Sequence, residues 1–222
     1  MNKILNNTSP MFGQDVLIAS STAQRGLSEQ AISPVQALDW YKQGWLTGAI
    51  HHPSPNFNAR PDDVAIDLLV IHSISLPPDQ FSSEDVIAFF QNRLDCSKDP
   101  FYAHLQGVTV SAHFFIQREG TIVQFVSTLD RAWHAGISAF KGRENCNDVS
   151  IGIELEGCDT MPFTEAQYHT LATLMHFLMQ AYPGITRDRV VSHAEIALPP
   201  GRKTDPGPYF DWNHLWNVYE KR

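Results

Sequence analysis

Three side chains in this sequence carry metal-ligand chemistry and sit where the chain has little freedom. His72 closes the apolar run "LLVIH", His193 closes "RVVSH", and Asp205 ends the Pro- and Gly-punctuated loop "AEIALPPGRKTD". Two imidazoles and a carboxylate form the donor set of a catalytic zinc, which takes three protein ligands and leaves a fourth position to water. The donors are far apart in sequence. Their spacing alone does not choose between a metal site and two structural histidines beside a surface acid.

The stretch "IGIELEG" adds Glu154 and Glu156, with Leu155 between them. In a strand both glutamates share a face with Gly152, while Ile151, Ile153 and Leu155 point the other way. That pattern fits a solvated face over an apolar one. It also fits one glutamate acting as general base beside a metal, with Gly152 leaving room for a ligand. Lys203, two residues before Asp205, is either a solvated cation or a fixed charge for an oxyanion. "RAWHAG" places Trp133 and His134 beside a glycine, the residues of a sugar-stacking platform or of a buried aromatic. Arg143, in the polar "GRENCND", has the fork geometry for a substrate carboxylate. His104, His113, His169, His176 and His214 read as ordinary structural or surface groups.

Elements must hold these groups in place. "AIDLLVIHS" (65–73), "VSIGIELEG" (149–157) and "RVVSH" (189–193) are short, β-branched and apolar, and read as buried strands. "HFFIQREGTIVQFV" (113–126) reads as a hairpin turning at Arg118–Gly120. Residues 82–94 predict a capped amphipathic helix. A longer helix begins at Thr164, with Gln167 in capping-box spacing, Phe163 and Tyr168 as staple, and Pro183-Gly184 as stop. Asp211 starts a terminal helix, and "SPVQALDWYKQGWL" predicts a short helix capped near Ser33. "HHPSPNFNARPDD" (51–63) reads as an irregular loop. The expectation is a polar extension over 1–34 followed by one α/β domain over 35–222, a mixed central sheet with packed helices.

Composition narrows the function classes. The chain has 222 residues, 43% hydrophobic and 18% charged, a globular balance. A net charge of -8, with no Lys- or Arg-rich block, argues against a nucleic-acid partner. No stretch approaches the roughly 20 apolar residues of a membrane span, and the opening "MNKILNNTSPMFGQDVLIAS" lacks a signal-peptide core. Cys96, Cys146 and Cys158 are odd in number and irregular in spacing, so free thiols in a reducing compartment are expected. The expected location is the cytoplasm.

Taken together, "LLVIHSISLPP", "VSAHFFIQREGTIVQFV", "RAWHAG", "GRENCNDVSIGIELEG" and "GRKTDPGP" resemble the zinc-dependent N-acetylmuramoyl-L-alanine amidases of the AmpD type. The similarity spans about residues 40–217 and implies the fold shared with peptidoglycan recognition proteins and phage T7 lysozyme. It implies Zn2+ on His72, His193 and Asp205, Glu154 as general base and Lys203 as oxyanion stabiliser. Trp133, His134, Arg143 and Arg202 fall in motifs that line the relatives' substrate groove. The implied reaction cleaves the amide between the lactyl group of N-acetylmuramic acid and L-alanine. The missing signal-peptide core selects the cytoplasmic branch of the family, whose members act on 1,6-anhydro-muropeptides during cell-wall recycling, and a monomer is expected. The alternatives are a non-catalytic peptidoglycan-binding module, an amidase of intact peptidoglycan, and a polymerase-binding regulator. This chain departs from the pattern at Ser73, where relatives often have Asn, and at Thr109, where they often have Arg. It also has two more residues between His193 and Lys203.

Overall fold

Seven-residue strands at the centre set the frame. The structure, a computed structural model, describes residues 41–222. In chain order the elements are β1 (Tyr41–Lys42), β2 (Trp45–Leu46), β3 (Ile50–His51), β4 (Phe57–Asn58), β5 (Leu68–Ile74) and α1 (Ser83–Phe90). Then come β6 (Phe114–Ile116), β7 (Ile122–Gln124), β8 (Arg131–Ala132), β9 (Ala139–Phe140), β10 (Arg143–Glu144) and β11 (Ser150–Glu156). The chain ends with α2 (Glu165–Ala181), β12 (Val190–Ser192), α3 (His193–Ile196) and α4 (Trp212–Glu220).

Six strands form one mixed sheet in the order β12-β5-β11-β6-β7-β3. β12, β5, β11 and β6 run parallel; β7 returns antiparallel to β6, as the Gly-containing turn at Arg118–Gly120 predicts. β5 and β11 are central. Their apolar runs are continuous because parallel strands are covered on both faces.

Alternation along these strands separates two jobs. Leu69 and Ile71 of β5, with Ile151, Ile153 and Leu155 of β11, pack against Leu171, Leu174, Met175 and Leu178 of α2 and Leu215 of α4. Each such side chain, removed fully from water, contributes roughly 1.5–3 kcal/mol before entropy is set against it. α2 starts where the capping box requires: Thr164 accepts from the Gln167 amide and the Gln167 side chain reaches back to the Thr164 N–H. Asp211 likewise caps α4 through the His214 amide. The opposite face of the sheet holds Leu68, Val70 and Val191 in one apolar cluster and Phe115, Val123, Val86 and Phe90 in another. His72 of β5 and Ser150, Glu154 and Glu156 of β11 lie on this second face.

The helix expected from Ser33 is corrected over its described part. Tyr41 pairs with Leu46 and Lys42 with Trp45 in a hairpin, turning through Gln43 and Gly44, both at positive φ. Tertiary contacts override the helical periodicity. The buried Gln124 accepts from the Leu46 amide at 2.7 Å and donates to the Gly44 carbonyl at 2.7 Å. A Cβ at Gly44 would meet Ser127 Oγ at 2.3 Å. Residues 33–40 of that expected helix, and the extension over 1–34, lie outside the described residues. All three cysteines are free.

Candidate metal centre and catalytic groove

His72 lies within β5, not at its end, and β12 runs beside it with Ser192 opposite Ile71. The chain then turns into α3, whose first residue is His193; Ser192 caps the turn by accepting from the Glu195 amide. This brings His193 alongside His72. The following loop folds back so that the Asp205 carbonyl accepts from the Ala194 N–H at 3.1 Å. Its bend is a tight turn in which Arg202 N donates to Pro199 O at 3.1 Å, with Pro200 and Gly201 in the middle. Gly201 sits at φ +81° with open space around it, so glycine serves the backbone angle alone.

The three donors meet in a triangle. His72 Nδ1, His193 Nδ1 and Asp205 Oδ2 are 3.0 Å from one another on every side. The outer nitrogens are engaged elsewhere. His193 Nε2 is 3.1 Å from the Ala135 carbonyl, which can only accept, so the proton of a neutral His193 lies on Nε2. His72 Nε2 is 2.9 Å from His134 Nδ1. Burial pushes the His72 imidazole down to about 4, against the pull of Asp205. Burial works to raise Asp205 too, but its contacts with the two histidines outweigh it and hold the carboxyl well below the ordinary range. Two imidazole Nδ1 atoms and a carboxylate oxygen thus converge. A cation satisfies that arrangement, and the donor spacing is close to the ~3.3 Å that tetrahedral bonds of about 2.0–2.1 Å require.

Glu154 pairs in register with His72 across β11 and β5, so both side chains leave the same face of the sheet. Glu154 is only 9% exposed, and its buried Oε2 has no hydrogen-bond partner. Burial, reinforced by Asp205 and opposed by Lys203, holds Glu154 well above the ordinary carboxylate range. Glu156 is buried as well, but it is spent on structure: it accepts from Ser83 Oγ at 2.7 Å and from the Arg118 amide at 3.1 Å. The solvated face read as one option for this strand is therefore absent.

Lys203 is exposed, makes none of the ion pairs found among the described residues, and its charge is felt at both Glu154 and His72. A groove of about 300 Å3 runs past Asp205, lined by Ser73, Pro78, Cys158, Asp159, Arg202 and Lys203. A larger cavity, about 630 Å3, lies beside α1 with Thr109 on its wall and includes none of these donors.

The remaining sequence candidates are placed less uniformly. Arg202 lines the groove, but its guanidinium donates to the carbonyls of Ala135, Ile137 and Leu198. Trp133 is half-buried and its indole N–H donates to Asn58 at 2.7 Å. Arg143 pairs with Asp67, just before β5, five residues or roughly 16 Å of strand from His72. His134 is 8% exposed and lies beneath His72, against the expectation that it lines a groove. Gly152 does leave room, but the His134 ring takes it: a Cβ there would fall 2.5 Å from His134 Cγ. Sequence reading missed Asn147, whose Oδ1 accepts from the amides of His134 and Ala135 at 3.2 and 2.8 Å. It also missed Arg60, which donates to the carbonyls of Asn147, Asp148, Thr128 and Ser150. No local motif announces either residue. The glycine inside a strand was the available signal of a close approach.

Three donors and a buried carboxylate gathered over the parallel part of a mixed sheet are the layout of a metal-assisted hydrolase. The chain belongs to the N-acetylmuramoyl-L-alanine amidase family, whose model matches residues 62–208. It is 52% identical over 171 residues to the 1,6-anhydro-N-acetylmuramyl-L-alanine amidase AmpD of Haemophilus influenzae, covering 77% of this chain and 92% of that relative. Among solved structures, a selenomethionine AmpD crystal structure aligns with a TM-score of 0.76 at 47% identity, covering 80% of this chain and 97% of the other. The amidase AmiD from Escherichia coli, solved with anhydro-N-acetylmuramic acid-L-Ala-D-γ-Glu-L-Lys as substrate, aligns with a TM-score of 0.51 at 32% identity, covering 72% and 60%.

Proposed function

We propose that this chain hydrolyses the amide joining the lactyl group of 1,6-anhydro-N-acetylmuramic acid to L-alanine, in cell-wall recycling, with zinc on His72, His193 and Asp205. The observation that carries this reading is the donor triangle, in which lone pairs meet with the ring protons placed elsewhere. Two imidazoles and a carboxylate suit zinc and leave one position of a tetrahedron open. The AmpD relative supplies the bond and the anhydro sugar, and the AmiD complex supplies a muropeptide seen bound to a relative.

A bound zinc supplies Lewis acidity toward the amide carbonyl and acidifies water. Glu154 takes a proton from the attacking water and returns it to the departing amine of L-alanine. Its lone Oε2 and its burial favour that duty, because a desolvated carboxylate is a stronger base than one in water. Lys203 stabilises the oxyanion as the carbonyl becomes tetrahedral. Ser73 and Arg202 border the groove where stem peptide would lie.

The free cysteines suit a reducing compartment, and the net charge of -8 argues against a nucleic-acid partner. Among the described residues no helix is long and apolar enough to cross a membrane. The donors, glutamate and lysine all come from one chain, which suits a monomer. A binding-only module has less support, because the donor set and the unpaired buried glutamate are both present.

The test is incubation with 1,6-anhydro-N-acetylmuramyl tripeptide before and after chelation, with products followed by mass spectrometry. Release of free tripeptide that stops on chelation and returns with zinc is expected. No release from folded, zinc-loaded protein would overturn the reading.

A further inference from the structure

We propose that His134 is a positioning residue of the metal centre, seated in the space left by Gly152 and holding His72 with Nδ1 as the donor atom. This rests on the reading of His72 as a metal ligand. An imidazole offers two nitrogens, and the one that binds metal is set by what the other is bonded to. For His72 to present a lone pair at Nδ1, its proton must lie on Nε2, where the neighbour at 2.9 Å is His134 Nδ1. His134 must therefore accept at Nδ1 and carry its own proton on Nε2. That nitrogen faces Ser150 Oγ at 3.1 Å, which can accept it.

The ring has little freedom to do otherwise. Its own amide and that of Ala135 are both held by Asn147 Oδ1. It meets His72 edge to face, at 86° with centroids 5.0 Å apart. On its other side, an added Cβ at Gly152 would lie 2.5 Å from Cγ and 2.6 Å from Nδ1, so only glycine admits the ring. The next residue serves the second histidine, since the Ala135 carbonyl takes the Nε2 proton of His193. Two consecutive residues of "RAWHAG" thus fix both imidazoles from behind. A ligand's outer hydrogen bond typically changes metal affinity by 10–100-fold.

The experiment is zinc affinity by chelator competition on the full chain, with circular dichroism and a melt in excess chelator to check folding. His134→Leu removes the acceptor and is expected to weaken zinc by about 10–100-fold. His134→Gln restores an acceptor oxygen and is expected to recover at least half of that loss on a logarithmic scale. Gly152→Ala keeps His134 but fills its seat, and is expected to weaken zinc in the same direction. Zinc affinity of folded His134→Leu within twofold of the unmodified chain would overturn the proposal. So would a His134→Gln variant as weak as His134→Leu, which would show that packing rather than the hydrogen bond matters. Should His134→Leu not fold, the Gln and Gly152→Ala variants decide by the same readout. If the unmodified chain takes up no zinc, or His72→Ala binds it undiminished, the metal-centre reading itself fails.

Discussion

Glu154 and His72 are register partners on neighbouring parallel strands, and their side chains leave the same face of the sheet. A slip of one residue between β5 and β11 would send Glu154 into the apolar layer beneath α2. The hydrophobic partners of that layer, Leu69 and Ile71 against Ile151 and Ile153, therefore fix where a base stands relative to the donor triangle.

Replacing Glu154 with Gln keeps the shape and removes the base. Tripeptide release is expected to fall by about 10²–10⁴-fold, with zinc content by mass spectrometry unchanged. Turnover near the unmodified level would remove Glu154 from the mechanism.

The same substitution has a stability consequence of opposite sign. Glu154 titrates above the ordinary carboxylate range in the folded chain. The folded state then holds a proton that the unfolded state has released, over the interval between the two pKa values. Stability from this group is full below the unfolded pKa and is lost as pH rises through the raised folded pKa. In chelator at neutral pH, Glu154→Gln is expected to melt above the unmodified chain, with the gap closing toward pH 4. Equal melting curves at pH 7 would contradict the burial argument.

His72→Ala and Asp205→Ala each remove one corner of the triangle. Both are expected to lose stoichiometric zinc and with it hydrolysis, measured by metal analysis after dialysis. Full occupancy in either variant would strike that residue from the ligand set.

Lys203→Ala is expected to lower kcat by about 10²-fold, the scale of removing one oxyanion donor, while zinc affinity stays the same. Lys203→Arg should retain part of the rate. A change confined to KM would assign Lys203 to substrate binding instead.

The division into an extension over 1–34 and a domain over 35–222 leads to a truncation. Deleting residues 1–34 is expected to leave tripeptide release within twofold, because the family match begins at residue 62. A collapse of activity in a folded, zinc-loaded truncation would place that segment in the working enzyme.

Much of the sheet and helix framework was legible because its signals are local. β11, the β6–β7 hairpin, α2 and α4 follow from alternation, a Gly-containing turn, a capping box and an Asp cap. The stretch from Tyr41 to Leu46 was misread because its fold depends on Gln124, 78 residues away from Leu46. Periodicity cannot report a partner at that distance.

The site divides the same way. Residue type and position made His72, His193, Asp205 and Lys203 candidates and left Glu154 and Glu156 as alternatives, and the family resemblance gave each its role and chose Glu154. Only the tertiary structure decided that Glu156 is bound to Ser83 and Arg118, that Arg143 is tied to Asp67, and that His134 stands behind His72. Those outcomes depend on which face of which strand a residue shares with its neighbours, and strand order brings together groups that the chain itself keeps more than a hundred residues apart.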